Sequence, residues 1–227
     1  MGLLSALSCL VPGALAPADQ LINIIERLFK KTVAQFNFVT YRNGNNGGAT
    51  MVWSIRRVVT GHDENGRSTV IFDDKNGQVK EMDSMPGLVL TDLWETVSSP
   101  ADNSGTDDAV NRPVRLEPMT GGSIFRIVEF PPDGDWLDKV DVSTAFDSVA
   151  AGGAHDDGSS DPLRHKTDTI DYIVILEGEI DAVLDTETIR LRRGDALVQR
   201  GTVHSWSVKG DKPCVLAVTL VSATPAV

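Results

Sequence analysis

From residue 50 onward the chain is a succession of short β-rich runs, each closed by turn-forming residues. The runs are 51–60, 69–72, 87–95, 114–117, 123–130, 171–184, 188–191, 196–199, 206–208 and 214–221. Between them lie Asp63-Glu64-Asn65-Gly66, Lys75-Asn76-Gly77, Gly121-Gly122, Pro131-Pro132-Asp133-Gly134 and Lys209-Gly210-Asp211. Glycine supplies positive φ and Asn and Asp bond their own backbone, so such clusters end strands rather than interrupt helices. Many short strands at even spacing predict an all-β sandwich or barrel. With 227 residues and 41% hydrophobic content, one such domain has enough apolar side chain for a core.

The first 48 residues have a different texture. Residues 1–16 are apolar and end in Ala14-Leu15-Ala16, a small-residue pattern like that of a secretory cleavage site, but no Lys or Arg precedes the apolar run. Residues 17–36 place Leu21, Ile25, Leu28, Phe29, Val33 and Phe36 at steps of three and four, which predicts an amphipathic helix. Asn43-Gly44-Asn45-Asn46-Gly47-Gly48 reads as a linker. The expected organisation is therefore an N-terminal segment, helix and linker over 1–48 and a β domain over 49–227. The cytoplasm is the expected compartment, with secretion as the alternative if residues 1–16 are a signal peptide.

A formal net charge of −11 repels phosphate backbones, so nucleic acid is not an expected partner. There is no apolar stretch of the length that spans a bilayer. Cys9 and Cys214 lack metal-ligand spacing and are read as separate thiols rather than a disulfide. Two polar loops, 98–111 and 150–161, are long for a compact domain and read as disordered or as lids at a barrel mouth.

The chemistry-bearing residues lie in the last third. His165-Lys166-Thr167, Asp171 and Gly178 are followed by Gly194-Asp195, Gly201 and His204. This order resembles the two-motif signature of the cupin superfamily, and the second motif reads GDALVQRGTVH over 194–204. The resemblance covers residues 160–222 approximately. The phrases RRVVTGHDENGRS, GGSIFRIVEFPP and HKTDTIDYIVILEGEI extend it toward a small single-domain subgroup found in fungi and bacteria. It implies a single jelly-roll barrel with extra N-terminal strands, a homodimer, and a site built from His165, Asp171 and His204. It also implies, more weakly, small aromatic or polyketide-like substrates.

The chain departs from the family pattern at two places. Thr167 stands where the family has a second His, and Asp171 where it has Glu. The ligand set for Fe, Mn or Zn shrinks to His165, Asp171 and His204, which can still hold a divalent metal with open positions. The alternative is a metal-free polar pocket in which the histidines act as acid, base or donor. Thr167, Arg126, Tyr172, Gln199 and Trp206 are the expected substrate contacts. Arg126 would grip a carboxylate in bidentate fashion, with a solvent-facing Arg as its alternative.

The leading expectation is a lyase or isomerase that decarboxylates, dehydrates or tautomerises a small oxygenated acid. The alternatives are an Fe(II) dioxygenase on the same substrates and a cupin that binds a small ligand without turnover.

Overall fold

The structure, a computed structural model, describes residues 38–42, 49–75, 77–138, 147–151, 154 and 159–225, with only the backbone described as far as residue 52. The expected helix over 17–36, the apolar segment 1–16, the linker 43–48 and Cys9 lie outside the described residues. Residues Val39–Val227 form one compact unit.

The strands are β1 Phe38–Arg42, β2 Ala49–Trp53, β3 Arg56–His62, β4 Ser68–Lys75, β5 Gln78–Glu81, β6 Val89–Thr96 and β7 Ser123–Phe130. A four-residue helical turn, α1 Asp133–Trp136, follows β7. The motif-bearing third then supplies β8 Thr169–Glu177, β9 Glu179–Val183, β10 Thr188–Arg192, β11 Ala196–Arg200, β12 Ser205–Ser207 and β13 Cys214–Ser222.

Six strands make the larger sheet in the order β11-β8-β13-β7-β6-β5, and β10-β9-β12 make the smaller one. Alternation along β8 explains how one strand serves both the core and the surface. Thr169, Asp171, Ile173 and Ile175 are buried, whereas Tyr172 and Val174 are exposed. Leu216, Val218 and Leu220 of β13 and Ile124 and Val128 of β7 join the same interior, and Ile180, Ala182, Leu191 and Trp206 close it from the smaller sheet. The expected run 171–184 is thus two strands, one per sheet. Gly178 joins them at φ +74, with the position of a Cβ only 2.5 Å from the Pro213 carbonyl oxygen, so no other residue fits without strain.

On the outer side of the larger sheet, Trp53 and Ile55 pack against a smaller cluster of Leu93, Ile127 and Val215. The β3–β4 hairpin is fastened by Arg57, whose buried guanidinium binds both Asp74 and Asp108. Asp108 belongs to the long loop after β6, and this ion pair ties that loop to the hairpin.

Two further local expectations need correction. Residues 114–117 do not form a strand. Their backbone is engaged otherwise: Leu116 N–H donates to Val149 O at 2.8 Å, and the carbonyls of Arg115 and Leu116 accept from Arg126. Residues 78–81, by contrast, form β5 at the sheet edge, antiparallel to β6.

Candidate functional site

His165 and His204 are brought together by backbone pairing. His165 N–H donates to His204 O at 2.9 Å and His204 N–H to His165 O at 3.0 Å, an isolated antiparallel bridge. The imidazoles on this bridge lie side by side, with ring centroids 4.3 Å apart. Gly201, at φ +58 with Thr167 O 3.2 Å from its Cβ position, makes the turn that delivers His204 to this place.

Each ring is oriented by a carbonyl two residues back in the chain. Nδ1 of His204 lies 2.9 Å from Thr202 O, and Nδ1 of His165 lies 2.6 Å from Leu163 O. A carbonyl oxygen only accepts, so Nδ1 carries the proton in both rings and Nε2 of a neutral ring is an acceptor. His204 is 3% exposed. Burial, and then the neighbouring His165, push its pKa down to about 3 against the milder opposing effect of the Thr202 carbonyl, so the ring is neutral at physiological pH. Trp206 meets its edge at 5.7 Å in a T-shaped contact.

Asp171 sits on β8, and its side chain enters the interior by strand alternation. The Thr169 hydroxyl acts on its carboxyl as a hydrogen-bond donor that lowers its pKa, while Oδ1 is buried with no hydrogen-bond partner among the described residues. An unmet buried acceptor costs about 1–3 kcal/mol. Burial drives its pKa up to about 6, opposed by the Thr169 hydroxyl and the Arg126 charge and assisted by Glu117.

These three residues face one cavity between the sheets, of about 120 Å³. Most of its wall is apolar, including Met82, Met85, Phe130, Ile173, Trp206 and Val218. Met82, Met85 and Leu88 come from the connection between β5 and β6. Their signal in the sequence is three apolar side chains set inside a turn-like stretch, MDSMPGL, where solvent-facing residues are the norm.

The other expected contacts fall in different places. Trp206 lines the cavity. Arg126 also lines it and is 1% exposed, so the solvent-facing alternative does not hold. Its Nε donates to Asp92 Oδ1 at 2.5 Å, Nη1 to Leu116 O at 3.3 Å and Nη2 to Arg115 O, so each nitrogen of the expected fork already spends an N–H donor inside the protein. Asp92 is shared with Arg112, which together with Arg115 also binds Glu95.

Tyr172 is a correction. One residue after inward-facing Asp171, it must face outward, and it is 54% exposed. Gln199 is buried and pairs with Asp171 across β11 and β8, but its amide donates to Thr202 O and Oγ1 and holds the His204 turn. Thr167 is buried with its hydroxyl 2.8 Å from Thr169 Oγ1 and is not part of the cavity wall.

A divalent metal would require three donors around one point. Among the described residues, no three of His, Cys, Asp and Glu stand close enough together to hold one. His165 and His204 are adjacent, Asp171 stands apart from them on the cavity wall, and Thr167 is turned to Thr169. The donor set among the described residues does not fit a three-residue metal centre.

Comparison with known proteins agrees with this architecture. A cupin-domain family model matches residues 154–221. Phomopsin biosynthesis cluster protein C' of Diaporthe leptostromiformis is 32% identical over 162 residues, 66% of this chain and 68% of that protein. The cupin-domain-containing oxidoreductase fogC of Aspergillus ruber is 26% identical over 179 residues, covering 77% of this chain and 74% of the relative. The cupin-domain-containing oxidoreductase virC of Hypocrea virens is 24% identical over 153 residues, covering 66% and 65%.

Proposed function

The chain belongs to the cupin family, and from that premise we propose that it is a small-molecule biosynthetic enzyme moving a proton within an oxygenated aromatic or polyketide-like substrate, as an isomerase or lyase does. The observation that carries this reading is the partnerless Oδ1 of Asp171 in an apolar cavity shared with two imidazoles. A carboxylate whose pKa is lifted to about 6 is a usable general base near neutrality, whereas His204, held near 3, is a weak one. The two groups therefore divide the work. Asp171 takes a proton from carbon beside a carbonyl and returns it at the conjugate position, and Nε2 of His204 accepts from a hydroxyl on the oxygenated edge. The apolar wall leaves the carboxylate poorly hydrated, which keeps it basic enough to take the proton. The relatives support the biosynthetic setting, since a phomopsin cluster protein is among them.

The test uses 2-tetralone as carbon acid in deuterated buffer, with deuterium incorporation followed by NMR. Positioned general bases contribute roughly 10²–10⁴-fold. The expected result is exchange accelerated in that range by the protein and returned to the buffer rate by Asp171→Asn. Exchange no faster than buffer, or undiminished in Asp171→Asn, overturns the assignment.

A second reading, an oxidoreductase on the same substrates, is favoured by the activity in the names of the Aspergillus ruber and Hypocrea virens relatives. It predicts substrate-dependent oxygen uptake, which proton transfer does not. A pure binding protein predicts ligand capture with neither exchange nor uptake.

A further inference from the structure

Resting on that reading of the cavity, we propose that the site selects a neutral ligand bearing a hydroxyl group and rejects carboxylates, because the polar part of its wall is built from hydrogen-bond acceptors. Asp171 supplies the buried, partnerless Oδ1. His204 spends its Nδ1 proton on the Thr202 carbonyl and keeps Nε2 as an acceptor.

The cation in the wall does not reverse this sign. Three of the five N–H donors of the Arg126 guanidinium, one on each nitrogen, are engaged, by Asp92 Oδ1 and by the carbonyls of Leu116 and Arg115. Its charge is met by Asp92, which is 0% exposed. Glu117 lies near enough to act on Asp171 and adds negative potential. An incoming carboxylate would thus lose its hydration and meet a like charge at Asp171 and an acceptor edge at His204. A phenol or enol hydroxyl instead gives its hydrogen to Asp171 Oδ1, the cavity-wall oxygen that lacks a partner among the described residues. The substrate class is accordingly an apolar ring system with a free hydroxyl, and not the organic acid that Arg126 suggests when the sequence is read alone. Sites built to hydrogen-bond one polar group discriminate steeply against analogues that leave that group unmet.

The experiment is isothermal calorimetry at pH 8 with 2-naphthol and 2-naphthoate, on the full chain and on Asp171→Asn. The proposal expects 2-naphthol to bind at least about a hundredfold more tightly than 2-naphthoate to the wild type. In Asp171→Asn, which keeps the shape but supplies an amide donor and no charge, the ratio falls below about tenfold. Equal or tighter binding of 2-naphthoate, or an unchanged ratio in Asp171→Asn, overturns the acceptor-wall inference and leaves the cavity as a ligand site. Binding of neither probe, with the protein folded by circular dichroism, overturns the cavity reading itself and this inference with it.

Discussion

Replacing Arg126 by Met tests how the cavity is held open on its charged side. Arg126 and Asp92 are 1% and 0% exposed, and the variant removes the Nε–Oδ1 bond of 2.5 Å together with the donors to two carbonyls. Breaking a buried pair by deleting one partner costs about 3–5 kcal/mol, because the remaining charge is stranded. Here Asp92 keeps Arg112 at 2.8 Å, which draws the cost toward the lower end. The two abandoned carbonyls add about 1–3 kcal/mol each where water cannot reach them. A loss of about 5 kcal/mol is expected, a large share of the 5–15 kcal/mol typical of a domain. Urea denaturation followed by tryptophan fluorescence measures it, with Asp92→Asn and the double variant completing a cycle. The cycle is expected to show coupling of about 2 kcal/mol, since the double variant strands no charge at Asp92. A loss under about 1 kcal/mol, or singles that simply add, would refute the claim that Arg126 is committed to Asp92. The same variant raises the Asp171 pKa further, because the Arg126 charge opposes the upward push of burial.

Other outcomes follow from single features of the structure. Glu129, 5% exposed, has its pKa raised to about 7 by burial, against the Trp53 N–H that it accepts at 2.9 Å. Its folded-state pKa lies above the unfolded one, so this carboxyl lets stability fall as pH rises from about 4.5 to about 7, by about 3 kcal/mol. Glu129→Gln should remove that slope and raise the urea midpoint at pH 8 but not at pH 4; an unchanged profile contradicts it. Gly178→Ala combines positive φ with a Cβ 2.5 Å from the Pro213 carbonyl oxygen. It should cost about 3 kcal/mol in the same assay, and a neutral result would mean the β8–β9 junction is soft. Because no three donors converge among the described residues, EDTA and added Fe(II), Mn(II) or Zn(II) should leave the melting temperature unchanged, and a rise of several degrees with any of these metals would restore the three-ligand site.

Much of this was legible in the sequence because local chemistry dictates it. Turn residues cut the chain into nearly the right strands, and the motif glycines stood where φ had to be positive. The two histidines pair as their positions in the motifs suggested, and Asp171 joins them on the cavity wall. Parity along β8 could also have excluded Tyr172 once Asp171 was taken as inward, since neighbours on a strand face opposite sides. What stayed hidden depends on contacts distant in sequence. Arg126 reads as a free cation until Asp92, 34 positions away, is placed beside it. The stretch 114–117 has strand-like residues, but its carbonyls are claimed by that same guanidinium. Residues 78–81, QVKE, form an edge strand with only one apolar side chain, too little for a period-two pattern.

The claim on which the chemistry depends is that the Asp171 carboxyl is held in a largely apolar wall with one oxygen unmet among the described residues. Following its side-chain carboxyl carbon by NMR in Asp-labelled protein from pH 3 to pH 9 measures this without a substrate. A midpoint near 6, absent in Asp171→Asn, is the result expected. A midpoint at or below the ordinary value of 3.8 would mean that the carboxyl is solvated or fully partnered, and would contradict the account.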